Sequence, residues 1–189
     1  MEDSADPADL VVLLDQDARP SGTAPRTTVH DQHTPLHLAF SCYLLDDEDR
    51  VLLTRRALEK RTWPGVWTNS FCGHPRPGER VDDAVTRYAD RELGTTVRDL
   101  RCLLPDFRYR AVDPSGVVEN EVCPVYLARR NGPLTPAPAE VLEIRWVSLH
   151  DLRVAVMSAP WALSPWLVSQ VEEIESAGSW EGTALAARP

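Results

Sequence analysis

Residues 63–79 read WPGVWTNSFCGHPRPGE, and residues 80–94 continue as RVDDAVTRYADRELG. The first stretch is dense in Trp, Gly and Pro, which marks a rigid strand-and-loop passage of the kind that carries function more often than core elements do. The second predicts a helix over about 81–93. Asp82 or Asp83 can cap it, Val85, Tyr88 and Ala89 recur at helical spacing, and Gly94 is placed to end it.

Strand signals lie on both sides of this pair. Upstream, LVVLLD (10–15) is a short apolar run closed by Asp15, Asp17, Pro20 and Gly22, and reads as a first strand and turn. HLAFSCYLL (37–45), the polar DDEDR and VLLTRRA (51–57) read as a β-hairpin with a long loop. Downstream, LRCLLPDFRYRAV (100–112), DPSG (113–116) and VVENEVCPVYLAR (117–129) make a second hairpin, whose turn has Pro to preset one dihedral and Gly to accept a positive one. NGPLTPAPA (131–139) is a proline-rich connection and VLEIRWVSL (141–149) a strand. HDLRVAVM and SPWLVSQVEEIE read as terminal helices, the second with Trp166, Val168, Val171 and Ile174 near 3.6-residue spacing.

One helix among strands, with more helices at the end, implies an α+β or mixed α/β class. For 189 residues without an internal repeat, a single domain over residues 9–177 is expected. An acidic disordered tail is expected at 1–8 and a flexible tail at 178–189.

Hydrophobic residues make up 43% and charged residues 26%, which is ordinary for a globular protein. The formal net charge of −9 argues against nucleic-acid or anionic-membrane partners, although a local basic cluster still suits a small anion. No apolar run approaches the roughly 20 residues that span a bilayer. The start MEDSADPADL lacks the basic-then-apolar pattern of a secretion signal, so a cytoplasmic location is expected. Cys42, Cys72, Cys102 and Cys123 show no CxxC spacing and read as unpaired thiols.

Chemistry-bearing residues cluster in a few places. His30, His37 and His74 offer imidazole nitrogens, and Glu119 and Glu121 sit two apart in a strand, so both carboxylates leave one face. Two such carboxylates repel unless a cation or proton lies between them, which points to a metal. Solvated surface is the alternative for the same spacing. Cys72 lies two residues before His74, where a metal or cationic group can draw it into proton transfer; alternatively it fills a small apolar hole. Arg55, Arg56, Lys60 and Arg61, with Arg26 upstream, form either a phosphate grip or a solvated charged loop. Of six tryptophans, Trp161 and Trp166 flank ALSP, and a Trp face can hold a cation.

Taken together, HTPLHLAFS, LLTRRALEKRTWPGVWTNSFCGHPRPGE, DFRYRAVDPSGVVENEVCPVY and WALSPW resemble, in order, the type I isopentenyl-diphosphate isomerases over about residues 26–170. The resemblance implies a Nudix-type α/β/α sandwich with a mixed sheet. It implies conversion of isopentenyl diphosphate to dimethylallyl diphosphate by alkene protonation, a tertiary carbocation and loss of a proton from C2. By motif position the proton-handling groups are Cys72 and Glu121, with Tyr109 near Glu121 and Trp166 facing the cation. The metal ligands are His30, His37, His74, Glu119 and Glu121, holding Mn2+ or Zn2+. Glu92 holds Mg2+ together with the diphosphate, and Arg26, Arg56 and Lys60 bind that diphosphate. The partner expected is therefore a small prenyl diphosphate, taken by a monomer.

Two positions depart from the family pattern. Arg26 stands where relatives often have Lys, and Tyr88 stands where an Arg can help bind phosphate, with Arg87 as a possible substitute. The Nudix hydrolase signature, G-x5-E-x7-R-E-U-x-E-E-x-G-U with U a bulky aliphatic residue, is met at Gly73, Glu79, Arg87 and Glu92. It is broken at Tyr88 and Arg91. A diphosphate hydrolase, a non-catalytic binding module and a paralogue acting on another isoprenoid are the competing readings.

Overall fold

The computed structural model describes residues 9–178 and residue 180; the expected N-terminal tail and most of the expected C-terminal one lie outside the described residues. In chain order the elements are β1 (Leu10–Leu14), β2 (Pro20–Pro25), β3 (His37–Leu38), β4 (Phe40–Leu45), β5 (Val51–Arg56), β6 (Trp67–Thr68), β7 (Phe71–Gly73) and α1 (Val81–Leu93). They continue with β8 (Thr96–Leu104), β9 (Arg108–Val112), β10 (Val118–Val122), β11 (Val125–Asn131), β12 (Val141–Val147), α2 (Leu149–Ser158) and α3 (Pro165–Ser176).

Two mixed sheets result, ordered β2-β1-β3-β10-β9 and β12-β5-β4-β11-β8, with β6 added to β5 and β7 to β4. In the second, one face (Phe40, Cys42, Leu44, Leu52, Tyr126) packs on α1 through Val85, Tyr88 and Leu93. The other (Tyr43, Leu45, Leu53, Val125, Leu127) packs on α2 and α3 through Leu152, Leu167, Val171 and Ile174. This is the α/β/α sandwich with a mixed sheet that was expected. Each fully buried aliphatic side chain contributes roughly 1.5–3 kcal/mol.

The second hairpin forms, but not as one flat ribbon. Its turn end, β9 and β10, belongs to the first sheet, and its open end, β8 and β11, to the second. The change of sheet falls where Pro105 and Pro124 remove ladder donors, and Cys123 N donating to Phe107 O (2.8 Å) keeps the ribbon closed there. β3 and β4 make the same passage alongside, parallel to β10 and β11. The first hairpin also spreads: β4 and β5 are registered at Leu45 and Val51, then β4 takes β7 and β5 takes β6 as further neighbours.

Side chains alternate along a strand. His37, Ser41 and Tyr43 therefore share a face with Glu119, Glu121 and Cys123 across the crease between the sheets. Helix α1 corrects one expectation: neither Asp82 nor Asp83 caps it. Arg80 is the N-cap, without a side-chain hydrogen bond, while the two aspartates sit in the first turn, where the helix dipole favours them. Gly94 ends the helix at φ 57°, as expected. In the region of the expected C-terminal tail, Trp180 is buried and meets Tyr43 edge to face at 5.8 Å.

Candidate active site

The crease opens into a cavity of about 220 Å³ whose lining includes Cys72, Tyr109, Glu119, Glu121 and Trp166 at one end and Arg26, Arg56, Lys60, Arg91, Glu92 and Glu140 at the other. Residues far apart in the chain thus meet in one place. Their supports differ along its length.

At the inner end, β3 and β10 pair in parallel with His37 opposite Glu121, and β9 sets Tyr109 opposite Glu121 on the other side. The imidazoles of His30, His37 and His74 lie 5.0–5.5 Å apart, centroid to centroid. Among the described residues, ligand atoms of His30, His37, His74 and Glu121 all lie within 4.8 Å of one another, a group able to hold a metal ion. Glu119 stands to one side, accepting from Thr62 Oγ1 at 2.6 Å with its other oxygen 3.0 Å from His30 Nε2.

Several details fit a metal. His37 Nδ1 lies 2.9 Å from Pro35 O; in the neutral ring a proton there turns a bare Nε2 toward the group, the second-shell arrangement of metal-binding imidazoles, whereas with no ion bound a second proton on Nε2 faces Glu121. That nitrogen is 3.3 Å from His74 Nε2 and 3.4 Å from Glu121 Oε1. His30 Nε2 is buried and, although 3.0 Å from Glu119 Oε2, is not aligned to hydrogen-bond with it. Three imidazoles converging on one carboxylate are a donor set suited to a divalent ion.

Electrostatics follow the same geometry. Burial opposes a charged His37, but the hydrogen bond and charge of Glu121 outweigh it and raise its pKa. For His74 burial wins and the pKa falls. Burial would raise Glu121, yet hydrogen bonds from His37 and His74 hold it well below the usual carboxylate range.

Cys72 rises from β7, registered opposite Ser41 of β4. Burial pushes its thiol up to about 12, against hydrogen bonds with Ser41 Oγ (3.2 Å) and Asn69 Oδ1 (3.3 Å) that pull the other way. Trp166, buried on α3, donates from Nε1 to the same Asn69 oxygen at 3.0 Å. Its ring meets Trp63 edge to face at 5.4 Å and Tyr109 at 5.8 Å. Burial and the two nearby glutamates push the Tyr109 hydroxyl well above its ordinary pKa, so it stays protonated. Trp161 lies outside this wall and is exposed.

The mouth is cationic. Arg56 donates to Thr62 O and lies with Cζ 5.4 Å from the Trp166 ring centroid. Lys60 pairs with Glu140 and is 3.9 Å from Glu92, while Arg91 reaches Glu140 at 3.2 Å. Arg26 is held by Asp9 at 2.7 Å. Burial, with Glu140 adding to it against Lys60, raises Glu92 to about 7.

Arg87 is not available as the substitute for an arginine at 88: it clamps Glu79 (2.6 and 2.8 Å) and the His74 carbonyl (3.1 Å). Tyr88 fills the space above Gly73, where a Cβ would lie 2.6 Å from its ring. Arg91 faces the cavity beside Tyr88. Of the lining and supporting residues, Ser41, Thr62, Asn69, Glu140 and Gln170 were not singled out from the sequence, and Arg91 was noted only as a break in the hydrolase signature. Gln170 alone carried a signal, as a polar residue on the apolar stripe of α3 one turn from Trp166.

The NUDIX domain model matches residues 35–167. The chain is 62% identical to the isopentenyl-diphosphate Delta-isomerase of Frankia alni, covering 89% of this chain and 87% of that one. It is 58% identical to the protein of the same name from Mycolicibacterium vanbaalenii, over 92% and 95% of the two chains. Among solved structures, one from Deinococcus radiodurans shares the fold with a TM-score of 0.65 at 18% identity, covering 87% of this chain and 98% of the other. A MutT NUDIX hydrolase from Burkholderia pseudomallei does so at 0.55 and 24%, covering 72% and 96%.

Proposed function

This chain belongs to the isopentenyl-diphosphate Delta-isomerase family, built on a Nudix domain, and from that premise we propose that it interconverts isopentenyl and dimethylallyl diphosphate. The observation that carries this reading is one pocket, open at a cationic mouth, in which a thiol and a carboxylate lie against an aromatic wall.

An alkene is a weak base, so its protonation needs an acid held against it in a dry space. Cys72 and Glu121 are the two proton-handling groups, one delivering a proton to the alkene and the other removing one from C2. Tyr109 lies beside Glu121 as a neutral hydroxyl. Between the two steps a tertiary cation needs stabilisation without a nucleophile. The face of Trp166 supplies it through its ring quadrupole, and the aromatic wall keeps out water that would trap the cation as an alcohol.

Arg26, Arg56 and Lys60 hold the diphosphate, with Arg91 beside them. His30, His37, His74 and Glu121 would hold Mn2+ or Zn2+, with Glu119 beside them, and Glu92 would share Mg2+ with the diphosphate. Such ions supply electrostatic stabilisation and fix the protonation state of their ligands. The four unpaired thiols suit a reducing compartment, and the cytoplasm is the location we propose.

Hydrolysis finds little support. Of the hydrolase signature, Glu79 is spent on Arg87, Tyr88 packs on Gly73 and Arg91 pairs with Glu140, leaving Glu92, 3.9 Å from Lys60, as the carboxylate of that frame that lines the cavity. Incubation with isopentenyl diphosphate and Mg2+, followed by NMR, should show the two allylic methyl signals of the product. Release of inorganic phosphate without isomerisation would sink the proposal.

A further inference from the structure

Behind Cys72, away from the cavity, lie three polar side chains that the chemistry above does not use. Ser41, Tyr43 and Gln170 are each fully buried. Burying such groups is costly unless they are hydrogen-bonded, and here they bond to one another in a line that ends on sulfur. The Tyr43 hydroxyl donates to Gln170 Oε1 at 3.1 Å. That contact turns the amide so that Nε2 donates to Ser41 Oγ at 2.8 Å. Ser41, already an acceptor from Gln170, has its own proton left for a sulfur: Cys72 Sγ at 3.2 Å or Cys123 Sγ at 3.4 Å. On its far side Cys72 donates to Asn69 Oδ1 at 3.3 Å, the oxygen that also receives Trp166 Nε1–H.

We propose that Gln170 is a positioning residue for Cys72, acting through Ser41 to fix one hydrogen-bond direction across the thiol. Without Gln170 the Ser41 hydroxyl can rotate and accept from sulfur as readily as donate to it, and the thiol loses its single orientation. Gln170 and Trp166 lie four residues apart on α3 and so on one face. The helix that bears the aromatic wall therefore also aims the sulfur, from Ser41 on one side and Asn69 on the other. This deepens the isomerase reading and rests on it for its kinetic consequence.

The test compares wild type, Ser41→Ala, Gln170→Met and the double variant, with melting temperatures to confirm folding. Each single variant should lower kcat by about 10-fold, the worth of one hydrogen bond, with KM within about 2-fold. The double variant should be no slower than Ser41→Ala, because Gln170 acts only through Ser41. An unchanged kcat in Gln170→Met, or losses that multiply in the double variant, would overturn the inference. Should Gln170→Met fail to fold, Tyr43→Phe removes only the first hydroxyl of the line and should lower kcat about 3-fold at constant KM; an unchanged kcat overturns the inference there too. A second readout needs no turnover. In amide NMR spectra of the full chain, the Gln170 side-chain resonances should shift in Cys72→Ala, and identical spectra would break the chain of contacts whatever reaction the protein catalyses.

Discussion

The two ends of the cavity are built on opposite plans. At the inner end, Cys72, His37, Glu121 and Tyr109 stand on strands whose register sets their separations, and the polar atoms of the first three bond within the group or to buried neighbours. At the mouth, Arg26 and Lys60 come from loops and Arg91 from a helix surface, and their partners Asp9 and Glu140 are carboxylates that a diphosphate can replace. On the proposed reading the inner end is preorganised for proton transfer, where displacement by an ångström is costly. The mouth is exchangeable, as a binding site for a mobile anion must be.

Inner-end changes are therefore expected to act on turnover and mouth changes on affinity. Cys72→Ser and Glu121→Gln should each lower kcat by roughly 10²–10⁴-fold, the usual worth of a positioned acid or base, with little change in KM. Near-normal kcat in either would remove that residue from the chemistry.

Glu92 tests the border between the two ends. Its pKa is raised from 4.5 to about 7, chiefly by burial, so its neutral form fits the fold better. Stability is then full below pH 4.5 and lost as pH rises toward 7, by about 3 kcal/mol for a shift of this size. Glu92→Gln should abolish this loss, so that metal-free variant and wild type differ in denaturant midpoint at pH 8 and agree at pH 4.5. Equal midpoints at both would show that the carboxylate is not confined as described.

Lys60→Ala should have a smaller effect, raising KM about 10–100-fold through one lost charged contact, with kcat changed by no more than about 3-fold. A fall in kcat at constant KM would place Lys60 with the inner end and erase the distinction.

Locally encoded features were legible in the sequence. The α1 stripe, its Gly94 stop and the shared face of Glu119 and Glu121 follow from periodicities of 3.6 and 2, which need no tertiary information. The hand-over of the second hairpin and of the 37–45 arm between sheets was not legible, because it depends on strand partners distant in sequence meeting at Ala39 and Cys123. The convergence of His30, His37, His74 and Glu121 was implied by resemblance and lay beyond spacing alone. Glu119, expected in the same set, lies at its edge: Thr62, a loop residue with no motif, engages one oxygen while the other is 3.0 Å from His30 Nε2. Ser41 and Tyr43 sit inside an apolar run, where hydroxyls look like ordinary strand residues. Their meaning appears only when α3 brings Gln170 against them.

Proton transfer to carbon within the cavity is the central claim, and solvent isotope reports it directly. In D2O with Mg2+, the wild-type protein should place deuterium on carbon in dimethylallyl diphosphate, and neither Cys72→Ser nor Glu121→Gln should do so at a comparable rate. Product free of deuterium, or deuterium entering equally fast in either variant, would contradict the account.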